Sequence, residues 1–307
     1  MMIALLFTLL CFAQDPWDDV AGKAGMSVEE CKALMDGVEK DQSILDRMAR
    51  PWEAQPWYKY RTIFLNEERI EGGLEFWAAN EATLTAQSEK TGVPIEIIVA
   101  IMGVETKWGR VMGNDHVTRA LFTIGFYHPR RGTFFRKELG HYLRLATDEG
   151  WDLHATKGSY AGAMGLGQFI PSSYREYAVD GDGDGKRDLF ENSDDAIASI
   201  ANYFVEFGWV RGGGILMDAK GSDADLAKLA EGELKPSRTW ATLEGAGVST
   251  GAPPAPDSAA GVYAFEVEGG QDYQVGLTNF YVVTRYNHSK LYARAVVDLA
   301  QQIRERR

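Results

Sequence analysis

Residues 94–109 read PIEIIVAIMGVETKWG, a nearly unbroken apolar run that starts at a proline and ends in one acid. Pro94 suits the first turn of a helix, where its missing N–H would have no partner. The residues from Ile97 to Val104 are apolar on every side, so we expect a largely buried helix. Partial burial of Glu105 beside Trp108 would favour the protonated carboxyl that a general acid needs. From this segment alone, a solvated glutamate at a helix end is the alternative.

Helical signals continue on both sides of this segment. Ser27-Val-Glu-Glu30 has the spacing of a capping box. Apolar periodicity predicts further helices at about 69–90, 133–149, 194–207, 222–232 and 289–305. Two β-prone runs around Gly269-Gly270 predict a hairpin, and FYVVTRY at 280–286 is expected to continue in β structure. The fold class is therefore mainly α (α+β), with a small β element near the C-terminus.

Composition narrows the possible functions and locations. The 307 residues carry a formal net charge of -12 and no long Lys/Arg cluster, which argues against a nucleic-acid partner.

Residues 1–13, MMIALLFTLLCFA, predict a signal peptide, with a buried N-terminal helix as the alternative, and are too few to span a bilayer. Cleavage would leave only Cys31, which excludes an intramolecular disulfide. Residues 245–261 are rich in Gly, Ala, Pro and Ser and predict a loop or linker.

The segment from 157 to 185 reads KGSYAGAMGLGQFIPSSYREYAVDGDGDG and is rich in glycine. Glycines allow a ligand to approach the backbone closely, and Ser159 and Gln168 offer hydrogen-bonding groups. We interpret this segment as the floor of a binding groove. Flexible turns without a ligand are the alternative.

A calcium loop follows this floor. Asp180-Gly-Asp182-Gly-Asp184-Gly185, five residues and then Glu191 fit the D-x-D-x-D-G-x5-E pattern, which places oxygen ligands at alternate positions. Lys186 would contribute its backbone carbonyl, and Asp188 a direct or water-mediated contact. The sequence therefore predicts a bound Ca²⁺ and no organic cofactor, with an acidic, solvated turn as the competing interpretation. We expect the metal to hold the floor against the following helix.

Four motifs follow one another along the chain: GVETKWG around Glu105, GSYAGAMGLGQFIPSSY, SIANYF and NFYVVTRYN. From about residue 25 onwards the chain resembles the lytic murein transglycosylases of the B type. The resemblance implies a lysozyme-like catalytic domain formed by residues 14–244 and 262–307, with a helical accessory region. It also implies a groove for peptidoglycan glycan strands around one glutamate.

The resemblance also assigns residues. It makes Glu105 the catalytic acid/base and implies that the calcium loop spans 180–195, so that Asp195 competes with Glu191 to close it. Arg130 and Arg131 match a basic pair that could bind stem-peptide carboxylates. The substrate-binding residues implied are Ser159, Gln168, Tyr203, Tyr286, Tyr292, Arg130 and Arg131.

The implied reaction uses one carboxylate to cleave the bond between N-acetylmuramic acid and N-acetylglucosamine, without water, and leaves a 1,6-anhydro end. The first rival is a hydrolytic muramidase, which needs a second carboxylate in the cleft, for which Asp115, Asp148 and Glu149 are candidates. The second rival is a non-catalytic wall-binding protein. We expect an exported, monomeric protein of the periplasm or cell envelope, without a transmembrane segment in the mature chain.

Overall fold

The fold is taken from a computed structural model of the chain, which describes residues 15–49, 55–230 and 232–307. The predicted signal peptide at 1–13 lies outside the described residues. The α-helices of the described part are α1 (Pro16–Ala24), α2 (Val28–Leu34), α3 (Gln42–Met48), α4 (Trp57–Tyr60), α5 (Glu67–Ala79), α6 (Glu81–Thr91), α7 (Ile95–Thr106), α8 (Val117–Tyr127), α9 (Gly132–Glu149), α10 (Pro171–Tyr177), α11 (Ser193–Glu206), α12 (Asp223–Leu229), α13 (Trp240–Gly245), α14 (Thr278–Tyr286) and α15 (Lys290–Arg306).

Six short strands complete the described part of the chain and confirm the mainly helical fold class. They are β1 (Asp115–His116), β2 (Lys157–Gly158), β3 (Leu216–Asp218), β4 (Arg238–Thr239), β5 (Ala259–Val267) and β6 (Gly270–Leu277). Strands β1 and β2 pair with each other, and the other four form an antiparallel sheet in the order β3-β6-β5-β4. The hairpin predicted around Gly269 is the β5–β6 pair.

Helix α7 is buried on all sides, as its apolar sequence predicts. It packs against α5, α6, α11 and α15. Its core residues Ile98, Val99, Ala100, Ile101 and Met102 have no solvent-exposed surface. Burial of apolar surface is worth about 25 cal/mol per Å², so a helix covered on every face is a strong anchor for the residues at its end.

The β-sheet has a small core of its own. Trp240 and Leu243 of α13 and Leu226 of α12 pack against the inward-facing Val262 and Val275 of the hairpin. Strand β5 begins at Ala259, within the last three residues of the predicted 245–261 linker. One face of the sheet therefore has a core of its own, while Tyr263 and Phe265 of β5 pack in the main helical core.

The predicted helix at 69–90 is wrong in one respect, because two helices occupy this stretch. Asn80 ends α5: its backbone N–H and its side-chain amide both donate to the Phe76 carbonyl. Its side-chain oxygen accepts from the Ser193 hydroxyl at 2.8 Å. An asparagine side chain competes with the backbone for hydrogen bonds, so it interrupts an otherwise continuous helical pattern.

The β structure expected for 280–286 is also wrong, because these residues form most of α14. Four of its five buried residues, Asn279, Phe280, Val283 and Thr284, recur with helical spacing. The Asn279 side chain also accepts from the Val210 amide at 2.8 Å and donates to the Gly213 carbonyl at 2.9 Å. Packing and these bonds outweigh the weak strand preference of β-branched residues.

Trp108 is held in a slot made by glycines. A Cβ on Gly72 of α5 would lie 2.4 Å from the ring, and one on Gly103 of α7 would lie 2.5 Å from it. The indole Nε1 donates to the Val99 carbonyl at 3.0 Å, so the ring cannot easily move away. Because Gly72 and Gly103 have no side chains, α5 and α7 can pack closely on either side of the Trp108 ring.

We predict that Gly72→Ala lowers the free energy of unfolding by about 1–3 kcal/mol, because the added methyl group overpacks against a fixed ring. Urea denaturation measures this change. Gly22→Ala is the matched control: Gly22 also lies in a helix, and nothing lies within 4 Å of its added Cβ. It should be neutral or stabilise by up to about 1 kcal/mol, because alanine favours helices over glycine. Equal stability of the two variants would contradict the packing argument.

Candidate active site

Glu105 is the penultimate residue of α7, and the helix ends abruptly behind it. Lys107, Trp108 and Gly109 all have left-handed backbone, with φ of 50°, 54° and 85°. Such conformations are costly for residues other than glycine and occur where surrounding contacts impose them. The turn leads the chain away from the helix axis and leaves Glu105 at its end.

The expectation that Trp108 lies beside Glu105 is wrong. The ring packs over Gly103, which is two residues and therefore about 200° around the helix from Glu105. The left-handed turn folds the indole back along the opposite face of α7, towards Val99. The aromatic groups near the carboxylate are tyrosines from the C-terminal helices.

Tyr292, in the first turn of α15, donates its hydroxyl hydrogen to Oε1 of Glu105 at 2.5 Å. Tyr286, at the end of α14, donates to the Gly167 carbonyl at 2.6 Å. Burial first, and then the nearby charge of Glu105, raise the pKa of both tyrosines well above 10. Both hydroxyls therefore remain protonated donors at neutral pH.

Thr106 joins the end of α7 to the glycine-rich floor, and sequence reasoning missed it. Its hydroxyl donates to the Leu166 carbonyl at 2.8 Å and accepts from the Gly109 amide at 3.0 Å. The residue is 1% exposed. A lone threonine after a glutamate carries no recognisable signal, because the carbonyl that it binds is 60 positions away.

The floor also contacts the segment that follows Glu105. Strand β1 pairs with β2, with Asp115 opposite Gly158, so Ser159 follows directly after the paired strand. The Ser159 Oγ accepts from the amides of Ala161 and Ala163, which leaves its hydroxyl hydrogen for donation. Gln168 has a left-handed φ of 50°.

The amide nitrogen of Gln168 donates to the carbonyls of Met112 and Gly165, at 3.1 and 3.0 Å. These two bonds fix the orientation of the side chain and leave its carbonyl oxygen as the acceptor that a ligand can use. The floor therefore offers one hydroxyl donor at Ser159 and one amide acceptor at Gln168.

A groove of about 1050 Å³ runs along this floor and is lined by Gln168, Tyr203, Tyr286 and Arg131 among others. Tyr203 donates its hydroxyl to the Arg285 carbonyl at 2.6 Å, and its ring lies 4.9 Å from that of Tyr286. Glu105 does not line this volume. It adjoins the groove through Tyr286, whose pKa responds to the Glu105 charge.

The two arginines of the predicted basic pair lie in different places. Arg131 lines the groove, and its guanidinium lies 5.0 Å from the centre of the Phe135 ring. Arg130 is exposed and does not line the groove; its backbone amide donates to the His128 ring. The structure thus brings only one member of the pair to the groove.

The three carboxylates that a hydrolytic mechanism could use are engaged elsewhere. Asp115 accepts two bonds from Arg47, Asp148 pairs with Arg144, and Glu149 pairs with Arg187. None of them lines the groove. Among the described residues, the groove lining contains one acid, Glu176.

The predicted calcium loop has its carboxylates gathered. The ligand oxygens of Asp180, Asp182 and Asp184 lie within 4.8 Å of one another. Asp180 accepts from the Gly183 and Gly185 amides, and Asp184 accepts from the Lys186 amide, so the backbone turns around the cluster. Three converging carboxylates in a tight turn suit a hard cation with oxygen ligands.

The two candidates to close this loop differ sharply. Asp195 is fully buried, and its carboxylate accepts from the amides of Gly181 and Asp188, both at 2.7 Å. Burial, opposed by these two bonds and reinforced by the charges of Asp182 and Asp180, raises the pKa of Asp195. Glu191 is exposed. The Asp188 carboxylate caps the amides of Phe190 and Glu191.

The loop is connected to the floor through Leu189. The Leu166 amide donates to the Leu189 carbonyl at 2.7 Å, and the Leu189 amide donates to the Tyr174 hydroxyl at 3.2 Å. Asp195 lies in the first turn of α11, the helix that carries Tyr203. One loop therefore contacts both the floor and a wall of the groove.

Comparison with known proteins agrees with this geometry. Residues 12–301 match the family described as Transglycosylase SLT domain. The chain is 38% identical over 301 residues to membrane-bound lytic murein transglycosylase B of Escherichia coli K12, covering 95% of this chain and 82% of that protein.

Two solved structures are similar over nearly the whole chain. Soluble lytic transglycosylase SltB1 from Pseudomonas aeruginosa has a TM-score of 0.86 and 41% identity, covering 95% of this chain and 99% of that one. Escherichia coli lytic transglycosylase Slt35 in complex with calcium has a TM-score of 0.84 and 39% identity, covering 96% and 93%.

We predict that Thr106→Val lowers the free energy of unfolding by about 1–3 kcal/mol, because it leaves the buried Leu166 carbonyl without its donor. Thr147→Val is the matched control, since the Thr147 hydroxyl bonds only to the carbonyl four residues earlier in its helix, that of Leu143. The control should change stability by less than about 0.5 kcal/mol. Chemical denaturation compares the two, and faster exchange of the Gly109 amide would locate the loss at the floor.

Proposed function

Because the chain belongs to the Transglycosylase SLT domain family and is a lytic murein transglycosylase, we propose that Glu105 is the single acid/base that cleaves its glycan substrate. The observation that carries this proposal is the bond from the Tyr292 hydroxyl to Glu105 Oε1. It holds the carboxylate at the C-terminal end of α7 at the junction of helix, floor and late tyrosines. Peptidoglycan strands are the substrate, and the groove lined by Gln168 and Tyr286 is their binding site.

The proton that starts the reaction is carried by Oε2. Oε1 accepts from the Tyr292 hydroxyl and is therefore the unprotonated oxygen of the neutral carboxyl. The high pKa of Tyr292 keeps that hydroxyl a donor throughout. Oε2 gives its proton to the oxygen between N-acetylmuramic acid and N-acetylglucosamine, and the bond from that oxygen to the muramic C1 breaks.

The same carboxylate then acts as a base. The muramic acetamido group stabilises the cationic centre at C1, held by the Ser159 hydroxyl and the Gln168 carbonyl oxygen. Glu105 takes the proton of the C6 hydroxyl, which attacks C1 and closes the 1,6-anhydro ring. No water is consumed, and the carboxyl returns to its protonated form.

The pairing of Asp115, Asp148 and Glu149 with arginines supports this one-carboxylate route over hydrolysis. A hydrolase of the usual kind needs a second carboxylate across the scissile bond. Glu176, the acid in the groove lining, lies at the end of α10, one residue from Tyr177. We assign it no chemical step.

We further propose that Asp180, Asp182 and Asp184, the Lys186 carbonyl, and Asp188 and Asp195 hold a structural Ca²⁺, with Asp195 closing the loop in place of Glu191. The burial of Asp195 and its bonds to the amides of Gly181 and Asp188 support this choice. A bound calcium would neutralise the repulsion among the carboxylates and supply no chemistry to bond cleavage. The calcium complex of Slt35 is consistent with such a site.

The protein is proposed to be exported and to act in the cell envelope as a monomer, with Arg131 reaching stem-peptide carboxylates. No helix in the described ranges is long and apolar enough to cross a membrane. The Escherichia coli relative is named a membrane-bound enzyme of murein.

We predict that Glu105→Gln reduces digestion of purified sacculi by about 10²–10⁴-fold, because the amide can neither give nor take the proton. Mass analysis of fragments from the unmodified enzyme should show ends that lack one water relative to hydrolysis. Glu96→Gln, at the other end of the same helix, is the matched control and should retain activity. Hydrated ends, or full activity of the Glu105 variant, would rule out the assignment.

We predict that Ca²⁺ raises the melting temperature by about 5–10 °C at a concentration about 100 times its Kd, since binding to the folded state alone adds about 2.7 kcal/mol. Asp184→Asn and Asp195→Asn should lose most of this increment, whereas Glu191→Gln and the remote control Glu268→Gln should keep it. Each increment is measured against the same variant with chelator. Loss in Glu191→Gln with retention in Asp195→Asn would reverse the assignment of the closing residue.

A further inference from the structure

The groove has the opposite charge to the protein as a whole. Four fixed cations line it, Lys23, Arg131, Arg175 and Arg285, against the single carboxylate of Glu176. The chain as a whole carries a net charge of -12. A concave surface with one sign of charge concentrates ligands of the other sign.

The groove arginines also differ from most other arginines in their partners. Many arginines outside the groove are in ion pairs with Asp or Glu: Arg47, Arg110, Arg136, Arg144, Arg187, Arg294, Arg304, Arg306 and Arg307. Within the described ranges, Arg175 and Arg285 pair with no carboxylate. Each guanidinium instead bonds to a histidine, which fixes the orientation of the guanidinium without neutralising its positive charge.

Arg175 is oriented by His141 in the groove wall. Its Nη1 lies 2.9 Å from His141 Nδ1 and donates to the Lys23 carbonyl at 3.3 Å. Because a guanidinium has no acceptor, the imidazole must be the acceptor. Burial, and then the charges of Arg175 and Lys23, lower the pKa of His141 to about 4, so it is neutral at physiological pH.

Arg285 repeats this arrangement beside Tyr286. Its Nη1 lies 2.8 Å from His288 Nε2, and its guanidinium lies 5.3 Å from the centre of the Phe207 ring. Burial and the Arg285 charge lower the pKa of His288. Arg285 is also the neighbour of Tyr286 and presents its carbonyl to the Tyr203 hydroxyl.

In both arginines the histidine engages Nη1, and within the described ranges the edge formed by Nε and Nη2 has no hydrogen-bond partner. That edge presents two parallel N–H donors, the geometry that binds a carboxylate in two-pronged fashion. Sugar hydroxyls and acetamides are neutral and need no such charge. A guanidinium edge held in place and left unneutralised fits an anionic group of the ligand.

We propose that Arg175 and Arg285, each hydrogen-bonded to a histidine, form two carboxylate-binding subsites for the peptide branches of the glycan substrate. The inference rests on the proposed function, because it takes peptidoglycan as the ligand of the groove. It goes beyond the predicted Arg130–Arg131 pair, since it assigns new residues and a device that orients them. The enzyme accordingly prefers strands whose peptides carry free carboxylates.

The test measures binding in a Glu105→Gln background, which removes turnover from the comparison. The probes are purified peptide-bearing muropeptide fragments and the same fragments with their carboxylates converted to amides. We expect Arg175→Gln and Arg285→Gln each to raise the Kd for the carboxylate form about tenfold, as for loss of a charge-assisted hydrogen-bond pair. The amidated form should lose less than about twofold.

Matched variants separate charge from folding. Arg110→Gln removes an exposed arginine that pairs with Glu75 outside the groove and should leave both affinities unchanged. Arg175→Lys and Arg285→Lys keep the positive charge but lose the two parallel N–H donors of the guanidinium. Their Kd for the carboxylate form should lie between those of the parent and the Gln variants. Melting temperatures close to that of the parent confirm that all variants are folded.

Unchanged affinity of both Gln variants for the carboxylate fragments would overturn the inference. An equal loss on the two forms of the fragment would also overturn it, because it would place the arginines on the sugars. The proposed function is tested separately, by the mass of fragments released by the enzyme with Glu105 intact. Anhydro ends together with unchanged affinities would leave the function standing and remove only the carboxylate subsites.

Discussion

The left-handed turn at Lys107, Trp108 and Gly109 is the constraint on which the rest of the site depends. Two of these residues are not glycine, so the turn exists only because other contacts outweigh its cost. The indole supplies them, packed in the slot made by Gly72 and Gly103. The same turn ends α7 at Thr106 and lets that hydroxyl bind both the turn and the floor. Packing on one face of the helix thereby fixes the carboxylate on the other.

Leu166 connects this turn to the rest of the groove. Its carbonyl accepts from Thr106 at the end of α7, and its amide donates to the Leu189 carbonyl in the acidic loop. The loop in turn is bonded to Asp195 at the start of α11, which carries Tyr203. A single backbone position thus lies between α7, which carries the proposed acid/base, and the proposed metal loop. This connectivity supports a structural role for calcium, because any loosening of the loop acts on the floor.

The sequence predicted α7 well because burial on every face leaves an unmistakable apolar run. The catalytic role proposed for Glu105 came only from the order of motifs, since an isolated acid at a helix end is ambiguous. The position of Trp108 was unpredictable, because it depends on a left-handed turn and on a slot formed in part by Gly72 of another helix. Residues 280–286 were misassigned because strand preference is weaker than the bonds of Asn279 to another loop. Local pattern identifies elements, whereas long-range hydrogen bonds decide how they end and what they face.

The distribution of charge resolves an apparent conflict between a strongly acidic protein and an anionic polymer. Salt screens charges over about 8–10 Å, so carboxylates on distant surfaces have little effect inside the groove. Arg175 and Arg285 act there directly, because histidines rather than carboxylates satisfy their Nη1 groups. A carboxylate partner would orient the guanidinium equally well, but would cancel the charge that a ligand must meet. A neutral imidazole orients the guanidinium and leaves its positive charge for the ligand. A histidine with a lowered pKa therefore suits the position beside each of these arginines.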